Sequence, residues 1–299
     1  TSTRPSDRAE FARKVVGCDS LTSDYLINMR NILATALASI VAVAANLPAS
    51  HRQPVQDPAP GTQVEQSLTT SSGDRIDYLL YLPKNYTAAG KKVPLMLFLH
   101  GRGESNGPLS VVAKWGPPRR LAAGEQMKYI VVSPQCPPES FWSKDVQQTQ
   151  LLALLEHIRK TYNLDDDRVY LTGLSMGGYG TWQLAANHPG MFAAAAPICG
   201  RGNPADATKL RDLPIWAWHG TMDTVVPFNR SVEMVDAIKA VGGNQIRFTA
   251  LEHVGHASWQ AAYQSADFYR WLDQQRASTN KVAAKKASAA RKRKRDKKE

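Results

Sequence analysis

Seven short apolar runs punctuate the middle of the chain: RIDYLLYL (75–82), LMLFL (95–99), YIVVS (129–133), RVYLT (168–172), MFAAAAPI (191–198), LPIWAW (213–218) and QIRFTAL (245–251). They lack clean apolar/polar alternation, so they read as strands buried on both faces rather than strands with one wet side. Between them the apolar positions return with helical period. Residues 146–162 place Leu151, Leu154, Leu155 and Ile158 on one face, and 229–241 do the same with Val232, Val235 and Ile238. Residues 178–187 and 258–275 also read as helices. Strands alternating with helices predict an α/β domain with right-handed crossovers and a mostly parallel sheet. No internal repeat is visible.

The flanks differ from this core. Residues 29–45, MRNILATALASIVAVAA, have a basic start, an apolar run and small residues at Ala42-Val43-Ala44, the build of a secretory signal. An uncleaved N-terminal anchor helix is the rival reading. The run is short for a bilayer span and is followed by polar, Pro-rich sequence, which favours cleavage and export to a secreted or periplasmic location, with no stable transmembrane span after processing. Residues 1–28 then read as an upstream extension. Residues 46–72, rich in Pro, Gln, Ser and Thr, read as a linker, 73–276 as the catalytic domain and 277–299 as a basic, disordered tail.

The net charge of +11 suggests a polyanionic partner until its location is considered. Ten Lys or Arg against Asp296 and Glu299, all within 281–299, carry eight of those charges and leave three for the rest. The folded part therefore needs no nucleic-acid partner, and the tail lacks the interleaved aromatics that would favour a single strand. An anionic surface is the partner the tail suggests. Cys18, Cys136 and Cys199 form neither a disulfide framework nor a metal spacing; Cys136 and Cys199 read as structural, with or without a bridge between them.

In open α/β sheets, reactive groups gather at the carboxyl ends of the strands. LMLFL is followed by His100-Gly101-Arg102-Gly103, RVYLT by GLSMGG containing Ser175, LPIWAW by HGTMD ending in Asp223, and QIRFTAL by EHVGH ending in His256. Glycines on either side of Ser175 permit a sharp strand-to-helix turn that exposes the hydroxyl. The order Ser, Asp, His is the one an α/β-hydrolase arrangement requires. Ser175 is then the candidate nucleophile, His256 its base, and Asp223 the group that orients the imidazole. The backbone N–H groups of Met176 and Arg102 are candidate oxyanion donors, each contributing on the order of 3 kcal/mol to lowering the barrier. His253 competes with His256, but Gly255 gives His256 the more flexible position. Asp212 precedes its strand and Asp236 lies within a helix, so neither rivals Asp223. His219 reads as a strand-end structural residue, and His157 and His188 as surface or capping groups. Trp142 and Trp259 are candidate substrate-lining residues.

The segments LFLHGRGE, VVSPQC followed by FW, VYLTGLSMGGYGTWQLA, WAWHGTMDTVVPF and HVGHASW together resemble α/β-hydrolases of the small esterase group. That group includes feruloyl esterases, polyhydroxybutyrate depolymerases, dienelactone-hydrolase-like proteins and prolyl-oligopeptidase-like catalytic domains. The resemblance, over about residues 73–276, implies a sheet of about eight strands flanked by helices and serine hydrolysis of an ester substrate through Ser175, Asp223 and His256, with no cofactor and no metal. The short stretch 200–212 leaves no room for the helical lid of many lipases, and no propeller-sized domain precedes the core. The expected activity is carboxylic-ester hydrolysis through an acyl-enzyme on small or polysaccharide-borne acyl groups. A peptidase or amidase of prolyl-oligopeptidase-like type and a non-catalytic surface-binding protein on a hydrolase scaffold are the alternatives.

Overall fold

The computed structural model describes residues 58–280. The signal-like segment, residues 1–28 and the basic stretch 281–299 lie outside them. Eight strands form one sheet: β1 (Gln63–Thr69), β2 (Arg75–Tyr81), β3 (Val93–Leu99), β4 (Ile130–Pro134), β5 (Leu164–Leu174), β6 (Ala194–Ile198), β7 (Ile215–Gly220) and β8 (Ile246–Leu251). Their spatial order is β1-β2-β4-β3-β5-β6-β7-β8. β2 pairs antiparallel with β1 and β4, and every pair from β4 through β3 to β8 is parallel. The carboxyl ends of β3, β5, β7 and β8 therefore share one edge of the sheet.

The weak alternation in the sequence has a direct cause: both faces of the central strands are covered. Leu95, Leu97 and Leu99 of β3 join a core with Val169 and Leu171 of β5 and Ile215 and Ala217 of β7. The residues between them, Met96, Phe98, Tyr170, Trp216 and Trp218, point to a second core on the opposite face. The first core is roofed by α2 (Asp145–Thr161), α3 (Met176–Asn187), α4 (Ala207–Leu210) and α5 (Asn229–Ala240), which contribute Leu151, Leu184, Leu210 and Met234. The second is roofed by α1 (Gly116–Ala122), α6 (Trp259–Gln264) and α7 (Ala266–Gln274), through Leu121, Tyr263, Phe268 and Leu272. Only a 3₁₀ turn, Pro204–Asp206, and the four-residue α4 connect β6 to β7. Among the described residues no helix is long and apolar enough to cross a membrane.

Three boundaries differ from the sequence expectation. Gln63–Thr69, inside the stretch read as linker, is β1, paired in register with β2. It is an edge strand, mostly half-buried, so its polar composition is tolerated and disguised it. The helix expected over 258–275 is two helices, broken at Ser265, whose Oγ accepts from the Phe268 N–H at 3.3 Å. The presumed tail starts too early at 277. Ala277 is buried, Ser278 donates to both Asp167 carboxylate oxygens at 2.6 and 2.7 Å, and Asn280 Nδ2 donates to the Ala193 carbonyl at 2.9 Å.

Candidate active site

Ser175 stands between β5 and α3 with φ 52° and ψ −117°, a strained backbone for a non-glycine residue. The surroundings hold it there: its N–H donates to the Ile198 carbonyl at 2.9 Å and its carbonyl accepts from Tyr179 N at 3.0 Å. The flanking glycines are required by space. A Cβ on Gly177 would lie 1.9 Å from the Leu99 carbonyl oxygen, and one on Gly173 would lie 2.5 Å from that of Gly177. α3 thus sits directly on the end of β3, which brings the serine turn beside the loop that begins at His100.

Asp223 lies in the turn after β7. Its Oδ1 accepts from the Val225 and Val226 N–H groups, both at 2.9 Å, leaving Oδ2 to face the site. The loop after β8 is tied to this turn by Met222 N to Val254 O at 2.9 Å and Thr221 N to Leu251 O at 3.0 Å. Gly220 permits that contact, since a Cβ there would meet the Val254 carbonyl oxygen at 2.2 Å. The result is a continuous chain of hydrogen bonds. His256 Nε2 is 2.9 Å from Ser175 Oγ, and its Nδ1 is 2.7 Å from Asp223 Oδ2. The Asp223 side chain is fully buried, whereas that of His256 is 20% exposed. Burial opposes ionisation of Asp223, but hydrogen bonds from His256, Val226 and Val225 outweigh it and hold its carboxyl below the ordinary value. His253 is exposed, and its N–H donates to Thr221 Oγ1 at 3.1 Å.

The loop after β3 is organised from within. His100 is fully buried. Its Nδ1 is 2.6 Å from the Gly101 carbonyl and its Nε2 is 2.9 Å from Cys136 N–H. Nδ1 therefore carries the proton and Nε2 accepts. A second proton would set N–H against N–H, and burial, outweighing the bond to Gly101, lowers the pKa of His100 to about 4. The buried Glu104 accepts from Gly101 N–H at 3.0 Å through Oε2. Arg102 Nη1 donates to the Ser140 carbonyl at 2.8 Å and the guanidinium lies 4.6 Å from the centre of the exposed Phe141 ring. Met176 N–H opens α3, where helix N–H groups have no intrahelical acceptor.

His100 carries a pH prediction. Its pKa is depressed on folding from 6.5 to about 4, so the unfolded chain binds the proton more readily. The stability tied to the neutral ring is full above the unfolded value and is lost as pH falls toward the folded one, by about 2 kcal/mol between pH 7 and pH 5. Urea midpoints at the two pH values measure it. In His100→Asn this component of the slope should disappear; an unchanged pH dependence refutes the assignment.

Of the residues singled out in the sequence, Ser175, Asp223 and His256 come together, and the Trp259 ring meets His256 edge to face with centroids 5.3 Å apart. Trp142 needs correction as a substrate-lining residue. It is 1% exposed, its Nε1 donates to the His100 carbonyl at 3.0 Å, and it is packed so tightly that a Cβ on Gly180 would lie 2.3 Å from its own Cβ. It supports the loop after β3 from below. His157 is half-buried on α2 and His188 is the C-cap of α3. Cys136 and Cys199 are free and buried, and burial pushes both thiols up to about 12. Sequence reasoning did not place Cys199, whose Sγ lies within 4.8 Å of ligand atoms of both Asp223 and His256. It also missed Trp115, 5.8 Å from Trp259, and the contact of His219 with Asp223. Only the HGTMD spacing hinted at that contact.

Eight strands in this order, with helices on both faces and a Ser–His–Asp chain at one edge, define an α/β-hydrolase fold. A family model described as "Putative esterase" matches residues 69–294. The chain belongs to this esterase family, a group of carboxylesterase-type hydrolases. It is 32% identical over 160 residues to the bifunctional acetylxylan esterase/xylanase XynS20E of Neocallimastix patriciarum, covering 52% of this chain and 22% of that protein. It is 28% identical over 161 residues to the poly(3-hydroxyoctanoate) depolymerase of Pseudomonas fluorescens, covering 45% of this chain and 55% of that protein. Among solved structures, a thermostable esterase superposes with a TM-score of 0.60 at 34% identity, over 72% of this chain and 63% of that one. The chain thus spans less than two thirds of each of these relatives.

Proposed function

We propose that the protein is an exported serine carboxylic-ester hydrolase working through an acyl-enzyme on small or polysaccharide-borne acyl groups. The observation that carries this reading is the continuous Ser175–His256–Asp223 chain, with links of 2.9 and 2.7 Å. His256 Nε2 takes the Ser175 proton as Oγ attacks the ester carbonyl, and Asp223 stabilises the imidazolium without taking the proton. The N–H groups of Met176 and Arg102 receive the oxyanion. Collapse of the tetrahedral intermediate breaks the bond to the leaving alcohol, whose oxygen takes the proton back from His256. Water then attacks the acyl-serine by the same route and releases the acid. Export rests on the signal-like segment 29–45 and contact with an anionic surface on the tail; both lie outside the described residues.

Because His256 protonates the leaving oxygen, the leaving group lies on the His256 side. Trp259 forms that side, and a cavity of about 300 Å³ continues from it, lined by Trp115, Arg119, Gln260 and Gln264 among others. Two indole faces with polar groups around them suit a sugar ring. The names of the acetylxylan esterase/xylanase and of a ferulic acid esterase, a fold neighbour at 21% identity, agree with a polysaccharide ester. Purified protein should release acid from p-nitrophenyl acetate and from acetylated or feruloylated oligosaccharides faster than from aminoacyl amides. Trp115→Ala should raise KM on the sugar esters by roughly fivefold to tenfold, more than on p-nitrophenyl acetate, as expected for losing about 1 kcal/mol of aromatic contact. Faster turnover of the amides would overturn the ester reading in favour of a peptidase. Equal effects of Trp115→Ala on both ester classes would remove the sugar from this cavity.

A further inference from the structure

The acid of the site carries a second imidazole. His219, on β7, is fully buried, and its Nε2 lies 3.1 Å from Asp223 Oδ2 and 2.9 Å from the Val226 carbonyl. An atom facing two acceptors must carry the proton. On the other side of the ring, Nδ1 is 2.7 Å from Ser231 Oγ on α5 and, in the neutral ring, accepts from that hydroxyl. Asp223 Oδ2, the oxygen bonded to His256, therefore receives two ring N–H donors, while Oδ1 receives two backbone N–H donors.

We propose that His219 is a positioning residue for the Ser175–His256–Asp223 chain: its Nε2–H holds Asp223 Oδ2 in line with His256 and moderates the negative charge that oxygen presents. The proposal rests on the hydrolase reading above, and His219 touches neither substrate nor reacting atoms. The mechanism is electrostatic as well as geometric. A carboxylate oxygen sharing its charge with a second donor pairs less strongly with the imidazolium, so His256 gives up its proton more readily to the leaving alcohol. The groups packed around Asp223 and His219 keep this role distinct. From the loop after β8 comes His256 and from the end of β6 the Cys199 thiol, held neutral by burial. From the start of α5 come Ser231 and the Phe228 ring, 5.9 Å from that of His219. Burial also pulls His219 below the ordinary imidazole value, against the opposing Val226 carbonyl and Asp223 charge, in keeping with a neutral donor.

Two variants of the full chain separate the role from mere packing. In His219→Asn the amide reaches Ser231 but is too short for Asp223. In His219→Gln the amide reaches to where Nε2 stood. His219→Asn should lower kcat by roughly tenfold to a hundredfold and move the acid limb of kcat/KM upward by about half a pH unit or more, because Asp223 then holds the imidazolium more tightly. His219→Gln should restore most of both. An NMR titration of the His256 ring should show the same upward displacement in His219→Asn relative to the native chain. That readout needs no turnover, so it tests the proposal even if the esterase reading fails. A His219→Asn protein that melts like the native chain with an unmoved midpoint overturns the proposal. So does equal loss of kcat in both variants without movement of the limb, which marks a packing role only.

Discussion

Ser175→Ala is expected to lower kcat on p-nitrophenyl acetate by roughly 10⁵-fold to 10⁶-fold while KM changes little. In the proposed mechanism the hydroxyl forms the acyl bond, and its proton passes to His256 Nε2, 2.9 Å away. What survives is the stabilisation from oxyanion donors and binding alone. The fold should not suffer. The bonds that hold the strained turn are those of the Ser175 backbone N–H and carbonyl, and these remain. Activity and urea midpoint, measured together, decide the matter: a native-like variant that still turns over esters at more than about a hundredth of the native rate excludes Ser175 as nucleophile.

Gly177→Ala should be the most damaging of small substitutions for stability. Its new Cβ would fall 1.9 Å from the Leu99 carbonyl oxygen, 2.5 Å from the Leu99 carbonyl carbon and 2.8 Å from the His100 carbonyl oxygen. All three are backbone atoms, so no side-chain rotation relieves the overlap; either α3 lifts off β3 or the loop after β3 shifts. The cost is expected to be about 3 kcal/mol or more, the upper range for overpacking. Because the displaced parts carry Met176 N–H and Arg102 N–H, kcat should fall by about 10² or more as well. Gly190→Ala is the control, with nothing within 4 Å of its Cβ, and should stay within about 0.5 kcal/mol of the native chain. A Gly177→Ala protein as stable and active as that control contradicts the close approach.

The parts of the molecule that were legible in the sequence are those in which one local pattern decides. LMLFL is apolar throughout, and RVYLT is apolar from Val169 to Leu171, because both faces of β3 and β5 are roofed, and that composition is visible residue by residue. The helix over 146–162 appears as α2, Asp145–Thr161, since a single apolar stripe suffices to bury it. β1 was hidden because an edge strand needs little apolar surface. The helix over 258–275 was divided by Ser265, whose capping role is invisible until Phe268 N–H turns toward it.

The same boundary runs through the site. By itself the sequence determined the α/β succession, the serine turn, and the order in which Ser175, Asp223 and His256 follow their strands. These depend on neighbours along the chain, on glycines that admit a sharp turn, and on strand ends that parallel pairing must bring to one edge. Only the tertiary structure decided that His256 rather than His253 reaches Ser175, that Trp142 is sealed beneath His100, and that His219 shares Asp223 with His256. Each of these contacts joins side chains carried by different elements. Whether they meet depends on the path of a loop and the close approach of two backbones, as at Gly220 and Val254, and no periodicity within either segment records such a meeting.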